Sequence, residues 1–217
     1  MNLEKYQQYS RIARGLEKAD LVLKNARIVN VFTEEIIRGD IAIQDGIIAG
    51  IGSFHGKEER DLAGRYVCPG FIDSHLHLES TLVTPAELVT AASRHGTTTF
   101  IVDPHESANV SGLAGIDYIL DQTEDVKANV YVMMPSCVPA TSIDDNGCTL
   151  TAEEMAPYLH NNRILGLGEV MDSISVVQGD KTMHDKLELF EGRIRDGHAP
   201  FLEEGDLQAY AMAGIAT

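Results

Sequence analysis

Pro69-Gly70-Phe71-Ile72-Asp73-Ser74-His75-Leu76-His77-Leu78-Glu79 leads from a short apolar run into two histidines one residue apart. The preceding run, Val67–Ile72, reads as a strand bounded by turn residues. On a strand, alternate side chains share a face, so His75 and His77 would project together, about 6–7 Å apart along the chain. Two neutral imidazoles converging from one face suit Zn, Mn or Fe. The blander reading is a His-x-His pair on an exposed strand face, and spacing alone leaves both open.

Downstream, the pattern repeats. The apolar or β-branched runs Thr97–Val102, Val130–Met134, Ile164–Leu167 and Ile194–Arg195 alternate with helix-like stretches at Pro85–Arg94, Ser111–Gln122, Ala152–Leu159, within Lys181–Phe190, and at Asp206–Ala213. Strands alternating with helices indicate βαβ units and a parallel sheet. Polar groups begin at the strand ends at His75, Asp103, Pro135, Glu169 and His198, each about 30 residues after the last, the length of one strand–helix repeat. The expected fold is α/β: a partial (β/α)8 TIM-like barrel of about five units, although periodicity does not separate a barrel from an open doubly wound sheet. A closed barrel takes about 250 residues, more than the 217-residue chain holds beyond residue 66. Gly214–Thr217 resemble the start of a sixth strand, so the barrel portion, 67–217, is expected to be the first part of a longer one.

Upstream, residues 1–18 read as a helix. Asp20–Asn30 alternates like a half-buried strand, Glu34–Arg38 is a second strand, Gly39-Asp40 is a turn, and Ile41–Gly52 is a hairpin about Asp45-Gly46. Residues 1–66 are therefore expected to form a helix and a small antiparallel domain of β-sandwich type. Three cysteines (Cys68, Cys137, Cys148) with no Cys-x-x-Cys pair support neither a thiolate zinc site nor a disulfide framework, and each reads as a small buried hydrophobe.

Hydrophobic residues make up 44% and charged residues 23%, which is ordinary globular usage. Seventeen Lys and Arg against 33 Asp and Glu give a net charge of −16, unfavourable for nucleic acid or an anionic membrane surface. No apolar run approaches the about 20 residues of a membrane span, and the first residues lack a signal-peptide core, so the cytoplasm is expected.

Three further groups lie in register with the His-x-His pair. Asp103-Pro104-His105-Glu106 follows the second strand; its blander reading is a helix start capped by Asp103. Gly166-Leu167-Gly168-Glu169 places a carboxylate where it could bridge two metals or complete a mononuclear site; otherwise it is a surface acid. Asp196-Gly197-His198 ends the fifth strand. A lone histidine is rarely a ligand, but His and Glu groups at successive strand ends favour a metal site. His55, His95, His160 and His184 lie off this register. With no phosphate loop, dinucleotide fingerprint or Gly-x-Ser-x-Gly elbow, hydrolysis by metal-activated water is the economical mechanism.

The ordered set PGFIDSHLHLES, TTTFIVDPHE, ILGLGEVMD and DGHAP resembles bacterial adenine deaminases of the amidohydrolase superfamily. The segment from Asp20 to Gly52 resembles that family's small β-domain. The resemblance implies hydrolysis of adenine to hypoxanthine and ammonia, with one or two divalent ions, Mn or Fe with Zn as the other choice. It implies His75, His77, Glu169 and His198 as metal ligands, Glu79 and Glu106 as groups for proton transfer, and Asp103 and His105 around the metals or the substrate. It further implies a free purine base as the partner, a homo-oligomer at full length, and a further histidine and aspartate beyond Thr217. Two other readings stand beside it: a hydrolase of cyclic amides, which a lysine in place of Glu169 would have favoured, and a non-catalytic metal-binding fragment.

Overall fold

A computed structural model describes residues 1–141 and 143–216. The chain divides into two compact units, Met1–Pro69 and Gly70–Thr217.

In the first unit, α1 (Leu3–Ala13) precedes β1 (Ala19–Asn30), β2 (Glu35–Gln44), β3 (Ile47–Gly52), β4 (Gly56–Asp61) and β5 (Tyr66–Val67). The helix is shorter than expected. Gly15, at φ +71°, turns the chain left-handed, and the amides of Gly15 and Leu16 close back on the carbonyls of Ile12 and Arg11, a Schellman stop. Asp45 and Gly46 both have positive φ and make the tight turn between β2 and β3, as the hairpin signal required. The expected antiparallel sheet is mixed: β2 and β3 pair antiparallel, whereas β4 and β5 both pair with β1 in parallel. Hydrogen bonds join all five strands into one sheet, with one apolar cluster around Ile12, Val22 and Phe54 and another around Ala26, Ile28 and Ile41.

Gly39-Asp40 is not a turn but lies inside the continuous strand β2. Asp40 is 7% exposed. Its carboxylate accepts from Lys24 Nζ at 2.5 Å and from the backbone amides of Asn25 and Phe54 at 3.0 and 3.2 Å. A buried carboxylate holds three donors here, which accounts for an acid in mid-strand.

The second unit runs β6 (Phe71–Leu76), a 3-10 turn over Glu79–Thr81, α2 (Pro85–Ser93), β7 (Thr97–Val102), α3 (His105–Ser111), α4 (Leu113–Gln122) and β8 (Asn129–Pro135). It continues through α5 (Ala152–Met155), a 3-10 turn over Ala156–His160, β9 (Ile164–Val170), α6 (Ser173–Gln178), α7 (Lys181–Leu189), β10 (Ile194–Gly197) and α8 (Glu204–Met212). The five strands pair in parallel in the order β10-β9-β8-β7-β6, a curled half-barrel. Strands β8 and β9 are buried along most of their length, as strands covered on both faces must be. Phe100, Val132, Met134, Ile164 and Leu167 anchor a core that the helices close with Ile116, Ile119, Met155, Leu187 and Phe190.

The expected helix Ser111–Gln122 begins later, at Leu113, because Gly112 at φ +62° breaks the chain between α3 and α4. The short helix α6 was not expected. Of the expected sixth strand, Gly214–Ala216 form none, although the Ala216 amide donates to the Arg195 carbonyl at 3.0 Å; Thr217 lies outside the described residues.

Burial pushes the Asp40 carboxyl pKa up, but the hydrogen bonds from Lys24, Asn25 and Phe54 outweigh it and hold the pKa below its ordinary value. A carboxyl with a lower pKa folded than unfolded stabilises the fold above the unfolded pKa, and that stabilisation is lost as pH falls through the folded value. Asp40→Asn is expected to cost about 2 kcal/mol in urea unfolding at neutral pH, with the difference from the parent shrinking below about pH 4. An equal midpoint at neutral pH would contradict this.

Candidate metal centre

The carboxyl ends of β6, β7, β8, β9 and β10 carry the polar groups to one end of the half-barrel. Glu169, near the end of β9, lies at its focus and is 4% exposed. Its Oε1 is 3.0 Å from His75 Nε2, 3.5 Å from His77 Nε2 and 2.8 Å from His198 Nε2. Its Oε2 is 2.7 Å from His105 Nδ1. Four histidines from two strand ends and the start of α3 thus meet one carboxylate.

The backbone is held to make this possible. Glu169 has φ +35°, a left-handed conformation that costs a non-glycine residue about 1–3 kcal/mol. The Glu169 amide donates to Asp196 Oδ1 at 2.8 Å, and Ser136 Oγ donates to the Glu169 carbonyl at 2.9 Å. Gly168 is required beside it, since a Cβ there would overlap Asp103 Oδ2 and come within 2.8 Å of Met133 Cβ. His77 Nδ1 lies 2.8 Å from the Asp103 carbonyl. A carbonyl only accepts, so Nδ1 carries the proton and Nε2 turns its lone pair toward Glu169.

The charges follow from the contacts. Burial pushes the Glu169 pKa up, but His105 and His198 overcome it and hold it down at about 2. The Asp103 and Glu169 carboxylates raise His105 to about 10, and burial raises Asp103 to about 6. Burial also pushes the Cys137 thiol and the Asp196 carboxyl up.

The donors suit a divalent ion. Ligands about 2.1 Å from one metal lie about 3.0–3.4 Å from one another. His75 Nε2 and His77 Nε2 are 3.1 Å apart, and their distances to Glu169 Oε1 are 3.0 and 3.5 Å. Glu169 Oε2 and His105 Nδ1 are buried and close, yet neither has a hydrogen bond of usable alignment. Donor atoms that converge without an aligned hydrogen bond suit a cation, whose binding would displace the His105 proton. His75, His77, His105 and Glu169 could therefore hold a divalent metal.

The expected residues divide into two sets. His75, His77, Glu169 and His198 come together, with His105 against the second oxygen of Glu169 and Asp103 beside His105 at 3.6 Å. Asp103 does not cap a helix; Pro104 stands before α3, and no side chain caps it. Glu79 and Glu106 engage elsewhere. Glu79 Oε1 accepts the amides of Glu106 and Ser107 at 3.1 and 3.2 Å, and Glu106 Oε2 accepts from Ser80 Oγ at 2.6 Å. They line a groove with Val110, Ser111 and Tyr118.

Cys137 and Asp196 are additions. Cys137, read above as a small hydrophobe, brings its Sγ within 4.8 Å of donors on both His105 and Glu169. Its signal was the register itself, since it lies two residues after Pro135 at the third strand end. Asp196 belongs to the quoted Asp-Gly-His group, but spacing does not show which backbone amide its carboxylate accepts.

Residues 66–217 match the Amidohydrolase family. The whole chain is 57% identical to an adenine deaminase of Desulfitobacterium hafniense, of which it covers 38%. It is 50% identical over 204 residues to adenine deaminase 2 of Carboxydothermus hydrogenoformans, covering 36% of that protein. The chain thus spans little more than a third of the length of these curated relatives. A 5-methylcytosine deaminase from Klebsiella pneumoniae aligns with a TM-score of 0.52 at 16% identity, over 88% of this chain and 55% of its own. An N-isopropylammelide isopropylaminohydrolase from Burkholderia multivorans gives 0.53 at 18%, over 90% and 55%. At such identities the last two speak to the fold alone.

Gly168→Ala is expected to destabilise the chain by about 1–3 kcal/mol, the cost of overpacking a core with no room to give. Urea unfolding measures it, and an unchanged midpoint would show that Asp103 and Met133 move aside freely.

Proposed function

The chain belongs to the amidohydrolase family, and we propose that it supplies the metal-binding part of an enzyme that hydrolyses adenine to hypoxanthine and ammonia. The supporting observation is the meeting of the His75, His77 and His198 Nε2 atoms on Glu169 Oε1 at 2.8–3.5 Å. The adenine-specific part rests on curated relatives of that name, 46–57% identical across the whole chain or nearly all of it.

In this reading His75, His77, Glu169 and His198 hold the metal, with Mn or Fe preferred and Zn the other choice for imidazole and carboxylate donors. A bound ion of this kind brings the pKa of water toward neutrality and polarises the carbon to be attacked. The protein's own groups orient that chemistry. The Asp103 carbonyl keeps His77 in the tautomer whose Nε2 faces Glu169. His105, held charged at neutral pH, and Asp103 balance the second oxygen of Glu169. Glu79 tethers the first turn of α3 and so holds His105 in place. Glu106 accepts from Ser80 at this rim and has no contact with the histidines among those described.

The reading is of a cytoplasmic homo-oligomer acting on a free purine base, not on nucleic acid or a membrane surface. No helix among the described residues is long and apolar enough to cross a membrane, and the charge of −16 disfavours anionic surfaces.

The test uses the protein isolated from its own cells and loaded with Mn, incubated with adenine and with a panel of hydantoins and dihydropyrimidines. Ammonia release from adenine alone is expected. Replacing His75 and His77 together by Ala is expected to lower kcat/KM at least about 1,000-fold, about 4 kcal/mol of transition-state stabilisation. Turnover of the cyclic amides with adenine inert would overturn the assignment.

A further inference from the structure

Lys186 places an ammonium where the packing of α7 calls for an apolar side chain. Met183 and Leu187, on the same face of that helix, are buried in the core, and Lys186 itself is 7% exposed. Burial lowers its pKa, as it does for any ammonium held away from water. Among the described residues its Nζ makes one hydrogen bond, to the Ser136 carbonyl at 2.8 Å, and none to a carboxylate. A buried charge without a counter-ion destabilises a fold, and a methionine here would pack without that penalty. What the ammonium gains is its hold on Ser136. Ser136 is fully buried and stands just past the end of β8. Its amide donates to the Gly168 carbonyl at 3.2 Å, and its Oγ donates to the Glu169 carbonyl at 2.9 Å. The Glu169 amide is fixed from its other side by Asp196 Oδ1 at 2.8 Å. Glu169 needs both clamps, because at φ +35° its backbone persists only where the surroundings hold it.

We propose that Lys186 is a positioning residue of the metal centre, acting through Ser136. Its ammonium fixes the Ser136 carbonyl, and the Ser136 hydroxyl fixes the Glu169 carbonyl. The Glu169 carboxylate is thereby kept on the imidazoles of His75, His77 and His198. Released, the Glu169 peptide relaxes toward negative φ, and its carboxylate leaves the contacts of 2.8–3.5 Å that it makes with them. The sign of the effect separates this role from a direct influence of charge. A positive charge near a cation site opposes binding, so by charge alone the loss of Lys186 would tighten the metal. By positioning, its loss weakens the metal, as the loss of a partner behind a ligand does, by about 10–100-fold. The inference rests on the metal reading of the cluster and is independent of adenine as substrate.

The experiment is a cobalt(II) titration of the protein isolated from its own cells and stripped of metal by a chelator. Binding is read by the d–d absorption of the bound ion, and urea unfolding of the metal-free variants is measured beside it. Lys186→Met is expected to raise the apparent Kd about 10–100-fold, with a urea midpoint no lower than the parent's. Ser136→Ala, which removes a single oxygen, is expected to weaken binding by a similar factor. The double variant Lys186→Met/Ser136→Ala should bind no more weakly than the weaker of the two, because both act along one chain of contacts. A Kd in Lys186→Met equal to the parent's or below it would overturn the proposal, and so would losses that multiply in the double variant. A lower urea midpoint with an unchanged Kd would overturn it too, since Lys186 would then hold the fold and not the site. If Lys186→Met does not fold, Ser136→Ala decides, and binding equal to the parent's overturns the proposal. A parent that takes up no cobalt would overturn the metal reading itself, whereas a parent that binds it as tightly as Lys186→Met removes this inference alone.

Discussion

Glu169 carries a full negative charge on a side chain that is nearly all buried, in a backbone conformation that glutamate rarely adopts. A buried charge without compensation costs several kcal/mol. Much of what surrounds Glu169 can be understood as compensation. His105 and His198 stabilise the carboxylate, Asp196 takes up its amide, Ser136 its carbonyl, and Gly168 leaves the room in which Asp103 can approach. These partners come from β8, β9, β10 and the β7–α3 junction. The parallel sheet brings them together because its strands end on the same side.

The same sheet explains the division of labour along each strand. The middle of β8 and β9 is apolar and holds the core, whereas the last residues and the loops that follow carry chemistry. Helices α4 and α7 close the core from outside with Ile116, Ile119 and Leu187. Among the described residues β6 and β10 each pair on one side only, and Phe71, Ile72 and Ile194 on them are exposed. Such edges invite a further strand or another chain.

Much of this was legible in the sequence because it repeats. Five apolar or β-branched runs with His, Asp or Glu after most of them, about one βα unit apart, located β7 to β10 to within three residues, whereas the run Val67–Ile72 straddles β5 and β6, and the shared register drew attention to His75, His77, Glu169 and His198. What was not legible depends on partners distant along the chain. Gly39-Asp40 has the composition of a turn, yet Lys24 and two amides make it the interior of a strand. The mixed pairing of the first sheet turns on β4 and β5, which are too short or too charged to show as strands. Glu79 and Glu106, which the resemblance implies as groups for proton transfer, have contacts with α3 and Ser80 that the sequence does not show. Cys137 read as a small hydrophobe because a lone thiol has no motif around it, although its register at the third strand end points to the site where folding sets it beside His105 and Glu169.

The central claim is that the charge on Glu169 is arranged to hold metal, and a crystal of the chain grown with Mn and measured at the Mn absorption edge tests it most directly. The account predicts an anomalous-scattering peak about 2.0–2.2 Å from His75 Nε2, His77 Nε2 and Glu169 Oε1. An ordered Glu169 with all four histidines around it and no such peak would contradict it, and would make the cluster a buried network of ion pairs.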